Sequence, residues 1–279
     1  MSDDPLPLDT ELIEQLLATK ATKPNGSTTS FTTMTRSIDE DEHSIELHLP
    51  YIHRRLQQQH PDLSPAQYPP LVPIMVGSTS PATEQAFGTL LAPYITDPSN
   101  VFIISSDFCH WGLRFNYTYY VPQAPHPGPR LPLSSPALPQ PPRTPADVAS
   151  VDQQADLVAD GKSLQRRDRV QSAVPAIHES ISAFDLATMA AITTGVTEKF
   201  LDVLKSTGNT VCGRHPIGVI MAGIAAANGS SSDSVDGSGS GSGRDSEKGK
   251  FHFIRYERSS DATDVADSSV SYVSAFAVL

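Results

Sequence analysis

This chain alternates short apolar runs with amphipathic segments, and that alternation limits the folds open to it. The runs PLVPIMVG (70–77) and NVFIISSDF (100–108) have the length and composition of buried strands. The segment between them, SPATEQAFGTLLAPYI (80–95), begins with Ser and then Pro, as helices often do. Because strands that alternate with helices form layered structures, the pattern predicts an α/β fold with a mostly parallel sheet flanked by helices.

The remaining elements follow from the same reasoning. Asp9 precedes leucines and isoleucine at helical spacing, and glycines at 195 and 208 are typical of helix ends. Pro50 should interrupt one helical stretch, and 250–258 alternates aromatic with polar residues as a half-exposed strand does. The predicted helices are 9–20, 42–60 with its interruption, 176–195, 197–208 and 215–228, and the predicted C-terminal strands are 250–258 and 268–279.

Two stretches have a composition that does not support a core. Residues 122–145 contain ten prolines, and 229–243 is rich in Ser and Gly. Such segments cannot bury enough apolar surface to offset the entropy lost on ordering. We therefore expect one domain in three pieces, separated by a disordered insertion and a linker: 1–120, 121–176 (insertion), 177–228, 229–250 (linker) and 251–279.

Charge and cysteine content exclude several classes of protein. A net charge of −11 argues against a nucleic-acid partner, which would require a basic face. We expect no membrane partner, because no apolar run approaches the ~20 residues that span a bilayer. The start, MSDDPLPLDT, does not resemble a signal peptide, and two cysteines form no disulfide framework. These features predict reduced thiols in a protein of the cytoplasm, with the nucleus as a further location.

The stretch SSDFCHWG (105–112) is the first candidate site. It places Asp107 and His110 just after a predicted buried strand, where ligands gather in open α/β sheets. His110 could then act as a general acid or base near neutral pH. The structural alternative is that Asp107 caps a turn, His110 bonds a carbonyl and Trp111 fills the core. From these residues alone, both interpretations remain open.

The second candidate is DEDEHSIELHLPY (39–51), which contains five acids and two histidines within ten positions. His43 and His48 are five residues apart, whereas two metal-binding histidines on a helix need a spacing of four. His43 and Glu46 can share a helix face. An exposed acidic helix start, favoured by the helix dipole, explains much of the pattern without function.

The third candidate is TGNTVCGRHPIG (207–218), in which Cys212 lies just before a predicted helix start. Arg214 and His215 follow closely, and all three features should lower the pKa of the Cys212 thiol. A thiolate is a nucleophile or a soft metal ligand. A buried, apolar cysteine fits the flanking residues equally well.

Taken together and in order, five segments resemble the Memo family, which in animals is linked to receptor-driven cell motility. The resemblance runs from about Leu6 to the C-terminus, except at 121–176 and 228–250. It implies a fold similar to that of the LigB-like class III extradiol dioxygenases, which use non-haem iron. The segments are DEDEHSIELHLPYI, PSNVFIISSDFCHWGLRFNYTYY, IHESISAFD, TGNTVCGRHPIGV and DSSVSYVSAFAV.

The resemblance also implies roles for individual residues. Cys212 matches a metal ligand, His110 matches the acid/base histidine of the dioxygenases, and Asp107 and His43 would line the same pocket. Family domains begin with APHAGY-like and GPSHH-like segments that each supply a metal-ligand histidine, and this chain contains neither. We therefore expect a domain incomplete at its N-terminus, with an unpaired strand edge and weak or no binding of iron or copper.

Two functions follow, and the choice between an enzyme and a non-enzyme stays open. The first is a metal-pocket or redox-linked signalling role, catalytically incomplete in this chain, since a thiolate site suits copper or iron redox chemistry. The second is a non-catalytic module that binds a signalling peptide, such as a phosphopeptide, in the same cleft. Arg214 and the helix start beside it would suit an anion.

Overall fold

The computed structural model describes residues 5–170, 175–230 and 248–279. The predicted helices are present, and two additional ones lie at 36–41 and, within the proline-rich segment, at 145–159. Pro50 lies in the first turn of a helix and does not interrupt it, because a missing N–H is tolerated there. The helices are α1 (Thr10–Ala18), α2 (Arg36–Asp41), α3 (Leu49–Gln59), α4 (Pro81–Ile95), α5 (Pro145–Ala159), α6 (Ile177–Thr193), α7 (Thr197–Thr207) and α8 (Arg214–Ser230).

The sequence signals for helix ends act as expected. Asp9 Oδ1 accepts a hydrogen bond from Leu12 N at 2.9 Å and so caps α1. Ser80 Oγ accepts from Thr83 N at the start of α4. Gly208 ends α7 at φ 66°, in the left-handed region that favours glycine. These predictions are confirmed because each depends on local chemistry alone.

The strands form one four-stranded sheet and two separate two-stranded pairs. The four-stranded sheet has the order β3-β8-β7-β5, and every ladder in the described part of the chain is antiparallel. The strands are β1 (Lys20–Thr22), β2 (Thr28–Ser30), β3 (His110–Gly112), β4 (Tyr119–Tyr120), β5 (Leu133–Ser134), β6 (Lys162–Ser163), β7 (Phe251–Arg258) and β8 (Ser268–Ala277). The α/β class is confirmed, but the prediction of a mostly parallel sheet is wrong for these strands, because the C-terminal β7–β8 hairpin supplies most of the pairing.

The two runs predicted as central parallel strands make no ladder with each other within the described ranges. Residues 72–76 and 101–104 nevertheless alternate in burial, as strands do. One set of side chains packs on a core cluster that includes residues of α4 and α8. The side chains of this set are Val72, Ile74, Val76, Phe102 and Ile104. The opposite face is exposed, with Val101 at 85% and Ile103 at 53%.

Helices α4 and α8 pack at unusually close range, as the small residues of 215–228 predict. A Cβ added at Gly88 would lie 2.6 Å from both Gly223 N and Val219 O. A Cβ at Gly223 would lie 2.4 Å from Ile95 Cδ1. The two backbones can approach this closely only because these positions lack side chains.

The structure differs from the prediction of a disordered insertion at 121–176. Its described part, 121–170, contains β5, α5 and β6, and Leu138 and Val158 are buried. Thr144 and Asp147 form a reciprocal capping box that starts α5. Although proline-rich sequence makes little regular structure, this segment contributes enough apolar side chains to pack against α6 and α7. Most of the predicted 229–250 linker lies outside the described residues.

Trp111 is fully buried, and its Nε1 donates to Tyr119 O at 2.8 Å. The structural interpretation of Trp111 as a core residue is therefore confirmed. In the part of the chain that the structure describes, no helix has the length and apolarity needed to cross a membrane.

Candidate functional site

The segment 105–110 and the loop 208–213 lie side by side and carry three of the predicted site residues. Cys212 N donates to Asp107 O at 3.1 Å, and Gly213 N donates to Ser106 Oγ at 2.9 Å. A Cβ at Gly213 would lie only 2.4 Å from Ser105 O. The glycine after Cys212 is thus required by the close approach of the two backbones, which brings Asp107 and Cys212 together.

His110 begins β3 and is held by Thr210 of the facing loop. His110 N donates to Thr210 Oγ1 at 2.8 Å, and Thr210 Oγ1 donates back to His110 O at 3.0 Å. The ring Nδ1 lies 3.1 Å from Phe108 O, which assigns the proton to Nδ1. Nε2 lies 3.7 Å from Asp107 Oδ2, which is close but beyond hydrogen-bond distance.

Cys212 is exposed, whereas Cys109 is buried. Partial burial raises the pKa of the Cys212 thiol, and the negative charge of Asp107 raises it further. The predicted lowering of this pKa is therefore wrong. Cys212 lies two residues before the first residue of α8, outside the helix, where partial burial and then the Asp107 carboxylate determine the direction of the shift.

His43 does not join this group. It is exposed in the connection between α2 and a short 3₁₀ helix, Glu46–His48. Among the described residues no hydrogen bond or ion pair links its side chain to the other predicted site residues. Its neighbour Glu42 instead accepts hydrogen bonds from Ser44 Oγ and from Ile45 N at 2.9 Å. Burial raises the pKa of Glu42, but these bonds lower it on balance, so the acidic cluster stabilises a turn.

A buried polar network under the site was missed from the sequence. Asp185 of α6 is fully buried and accepts from Asn209 Nδ2 at 2.9 Å and from Tyr256 OH at 3.0 Å. Burial raises the pKa of Asp185 to about 6 despite these hydrogen bonds. Asn209 directly precedes Thr210, so Asp185 fixes the loop that holds His110. Its position at the end of IHESISAFD, where the apolar run of α6 begins, was the available signal.

The three residues at this edge offer a thiol, a carboxylate and an imidazole. Iron and copper, which the family resemblance implies, usually require at least three well-placed protein ligands. Across residues 5–170, 175–230 and 248–279, no group of three or more His, Cys, Asp or Glu side chains is arranged to hold a metal ion. The described residues therefore do not fit a complete metal centre.

A family model described as Memo-like protein matches residues 5–276. The chain is 35% identical to a MEMO1 family protein of Schizosaccharomyces pombe over 272 residues, which cover 98% of this chain and 68% of the relative. It is 33% identical to Protein MEMO1 of Danio rerio and 31% identical to that of Homo sapiens, each over 87% of this chain. The chain spans only 58% of the length of both animal relatives.

Proposed function

This chain belongs to the Memo-like protein family, and we propose that it is a redox-linked signalling protein. We name its working region the thiol site, defined as Asp107, His110 and Cys212. The observation that carries the proposal is the backbone hydrogen bond from Cys212 to Asp107, at 3.1 Å, which joins the two segments. It places an exposed thiol, a carboxylate and an imidazole on one surface.

The chemistry that these residues support is reversible oxidation of one thiol. The Cys212 thiolate would attack a peroxide, forming an S–O bond while the O–O bond breaks and hydroxide leaves. His110 Nε2 offers a proton acceptor on the same surface. Because partial burial, and then the charge of Asp107, raise the thiol pKa, oxidation should be slow at neutral pH and faster as the pH rises.

We propose that the chain binds iron or copper weakly. Cys212 would be a single thiolate ligand, and the described residues offer no complete ligand set around it. Metal affinity falls steeply when ligands are missing, because each must be replaced by water or a poorer donor. This chain should therefore retain thiol oxidation but bind less than one equivalent of metal.

The test combines elemental analysis with a peroxide titration of the purified chain, read by mass spectrometry. We expect one added oxygen or a trapped sulfenic acid on Cys212, and less than one equivalent of metal. Cys212→Ser should abolish the oxidation, whereas Cys109→Ser, which removes the buried thiol, should not. One equivalent of metal that Cys212→Ser removes would contradict the proposal.

A second candidate function is a non-catalytic module that binds a signalling peptide at the same surface. It is favoured by Arg214, an exposed first residue of α8 that makes no ion pair within the described ranges. Phosphate groups are bound by arginine and by helix N-termini. Binding of a phosphopeptide that persists in a chelator and in Cys212→Ser would favour this function over the redox one.

A further inference from the structure

A cavity of about 550 Å³ lies between α7 and the loop that leads into α8. Its apolar wall is formed by Leu201, Leu204 and Val211. Asn209 and Thr210 add polar groups from the same loop. Small-molecule sites have this size and this combination of an apolar wall with a few polar groups.

The cavity is also electrostatically distinct from the rest of the acidic chain. Two cationic side chains, Lys205 and Arg214, line it, and no acidic residue does. Both are exposed, and neither makes an ion pair or a side-chain hydrogen bond within the described residues. The chain as a whole carries a net charge of −11. Two unpaired cations beside an apolar wall nevertheless attract an anion to this cavity.

Asn209 connects the cavity wall to the buried network around Asp185. The residue is 4% exposed, and its Nδ2 is used by Asp185 and Thr188. Its Oδ1 has no hydrogen-bond partner among the described residues. The amide therefore points into the protein, towards α6, and anchors the loop that forms this wall of the cavity.

We propose that this cavity binds a small organic anion with an apolar body, such as a medium-chain or aromatic carboxylate. The apolar body would lie against Leu201, Leu204 and Val211, and the carboxylate would face Lys205 and Arg214. The inference does not rest on the thiol site, since Cys212 is not part of the cavity lining.

The test uses octanoate and benzoate as probes on the whole chain, with octanol and benzyl alcohol as neutral counterparts. Calorimetry should show binding of the carboxylates, weakened by added salt, and much weaker binding of the alcohols. Lys205→Gln and Arg214→Gln should each weaken octanoate by about fivefold, as expected for exposed charges. Lys20→Gln, a change at an exposed cation outside the cavity, should leave the affinity unchanged, and so should Cys212→Ser.

Three results would overturn the proposal. In the first, neither cavity variant changes the affinity for octanoate. In the second, octanol binds as tightly as octanoate. In the third, the chain binds a phosphopeptide but does not bind octanoate. Because Lys205 and Arg214 are exposed, their replacement should not unfold the chain, and a thermal melt confirms this for each variant. Loss of peroxide reactivity in Cys212→Ser tests the redox function separately.

Discussion

His215 Nδ1 lies 2.6 Å from Glu84 Oε1, although the two residues are 131 positions apart in the chain. The contact joins the first turn of α4 to the first turn of α8, and Thr79 Oγ1 donates to the same carboxylate oxygen at 3.2 Å. The side chains are 12% and 4% exposed, respectively. A Cβ at Gly218 would lie 2.3 Å from Glu84 Oε2, so α8 has no room for a side chain there.

Removing this carboxylate should destabilise the chain strongly. Glu84→Ala leaves His215 buried without its partner, and such losses cost about 3 kcal/mol. Glu84→Gln keeps an acceptor for Nδ1 and should cost roughly 1 kcal/mol. Urea denaturation measures both values. Glu14→Ala, a change at an exposed acid, serves as the control, and equal stabilities for the two Glu84 variants would contradict the structural role.

Asp107→Asn should increase the thiol reactivity of Cys212. The carboxylate raises the pKa of this thiol, so its neutralisation lowers the pKa and increases the thiolate fraction at a given pH. The pH profile of labelling by iodoacetamide should shift to lower pH. Asp62→Asn, a change at an exposed acid, should leave the profile in place. Cys109 is 0% exposed and should label only after denaturation.

The buried Asp185 predicts a defined dependence of stability on pH. Burial raises the folded-state pKa from 3.8 to about 6. The folded state therefore binds the proton more tightly than the unfolded state does. The stability that Asp185 contributes in this way is fully present below pH 4 and is lost as the pH rises through 6. Each pKa unit corresponds to about 1.4 kcal/mol, so the loss approaches ~3 kcal/mol.

Asp185→Asn should remove this part of the pH profile. The difference in unfolding free energy between the native chain and the variant should therefore vary between pH 4 and pH 6 and be flat above pH 7. Asp152→Asn, in the exposed pair with Lys199, is the matched control. A difference that stays constant from pH 4 to pH 7 would mean that Asp185 does not titrate in this range.

Glu179 should hold the proline-rich segment on the start of α6. It accepts from Gly128 N at 2.6 Å, from His126 Nδ1 at 2.7 Å and from Ala176 N at 2.7 Å. Burial raises its pKa, but these bonds outweigh it and lower the pKa to about 2. The stability that ionised Glu179 contributes to the folded state is present above the unfolded pKa of 4.5 and is lost as the pH falls towards 2.

Glu179→Ala should therefore expose this segment and remove a helix cap worth about 1 kcal/mol. Limited proteolysis at neutral pH should cut 122–132 several-fold faster in the variant, and the native chain should become similarly sensitive only near pH 2. Glu198→Ala, at the exposed first turn of α7, provides the control. Equal cutting of both variants would show that Glu179 does not hold the segment.

Most elements, but not their assembly, could be predicted from the sequence. Caps such as Asp9 and Ser80, and the glycine at 208, act within a few residues, so their signals are local. Sheet topology depends on which strands pair, and the apolar runs at 70–77 and 100–108 carry no information about their partners. The alternating pattern of 250–258 and 268–279 did predict the strands that dominate the sheet.

In the candidate site, too, the individual residues could be predicted from the sequence but their arrangement could not. Asp107 and His110 were found because they follow an apolar run, and Cys212 because it precedes a helix. The hydroxyls of Thr210 and Ser106, which hold the two segments together, are common residues without a distinguishing pattern. The direction of the Cys212 pKa shift depends on the distance to Asp107, which the chain sets only when 105–110 and 208–213 pack together.

The two apolar runs leave a surface that should drive self-association. Val101 is 85%, Ile103 53% and Met75 42% exposed, and their alternate neighbours are covered by α4 and α8. Leu71 exchanges backbone hydrogen bonds with Pro7 and Asp9, but within the described residues the backbone groups of 72–76 and 101–104 form no ladder and are available to another chain. Exposed apolar edges of this kind pair with one another.

We therefore expect the sedimentation coefficient to rise with protein concentration in the micromolar range. Val101→Lys and Ile103→Lys together should abolish the rise, because like charges on an edge oppose pairing and their desolvation is unfavourable. Neither change should lower stability much, since both side chains already lie in solvent. Val196→Lys alters another exposed apolar residue, 42% exposed and far along the chain, and should leave association unchanged. A native chain that sediments as a monomer at every concentration would show that this face is shielded or too small to pair.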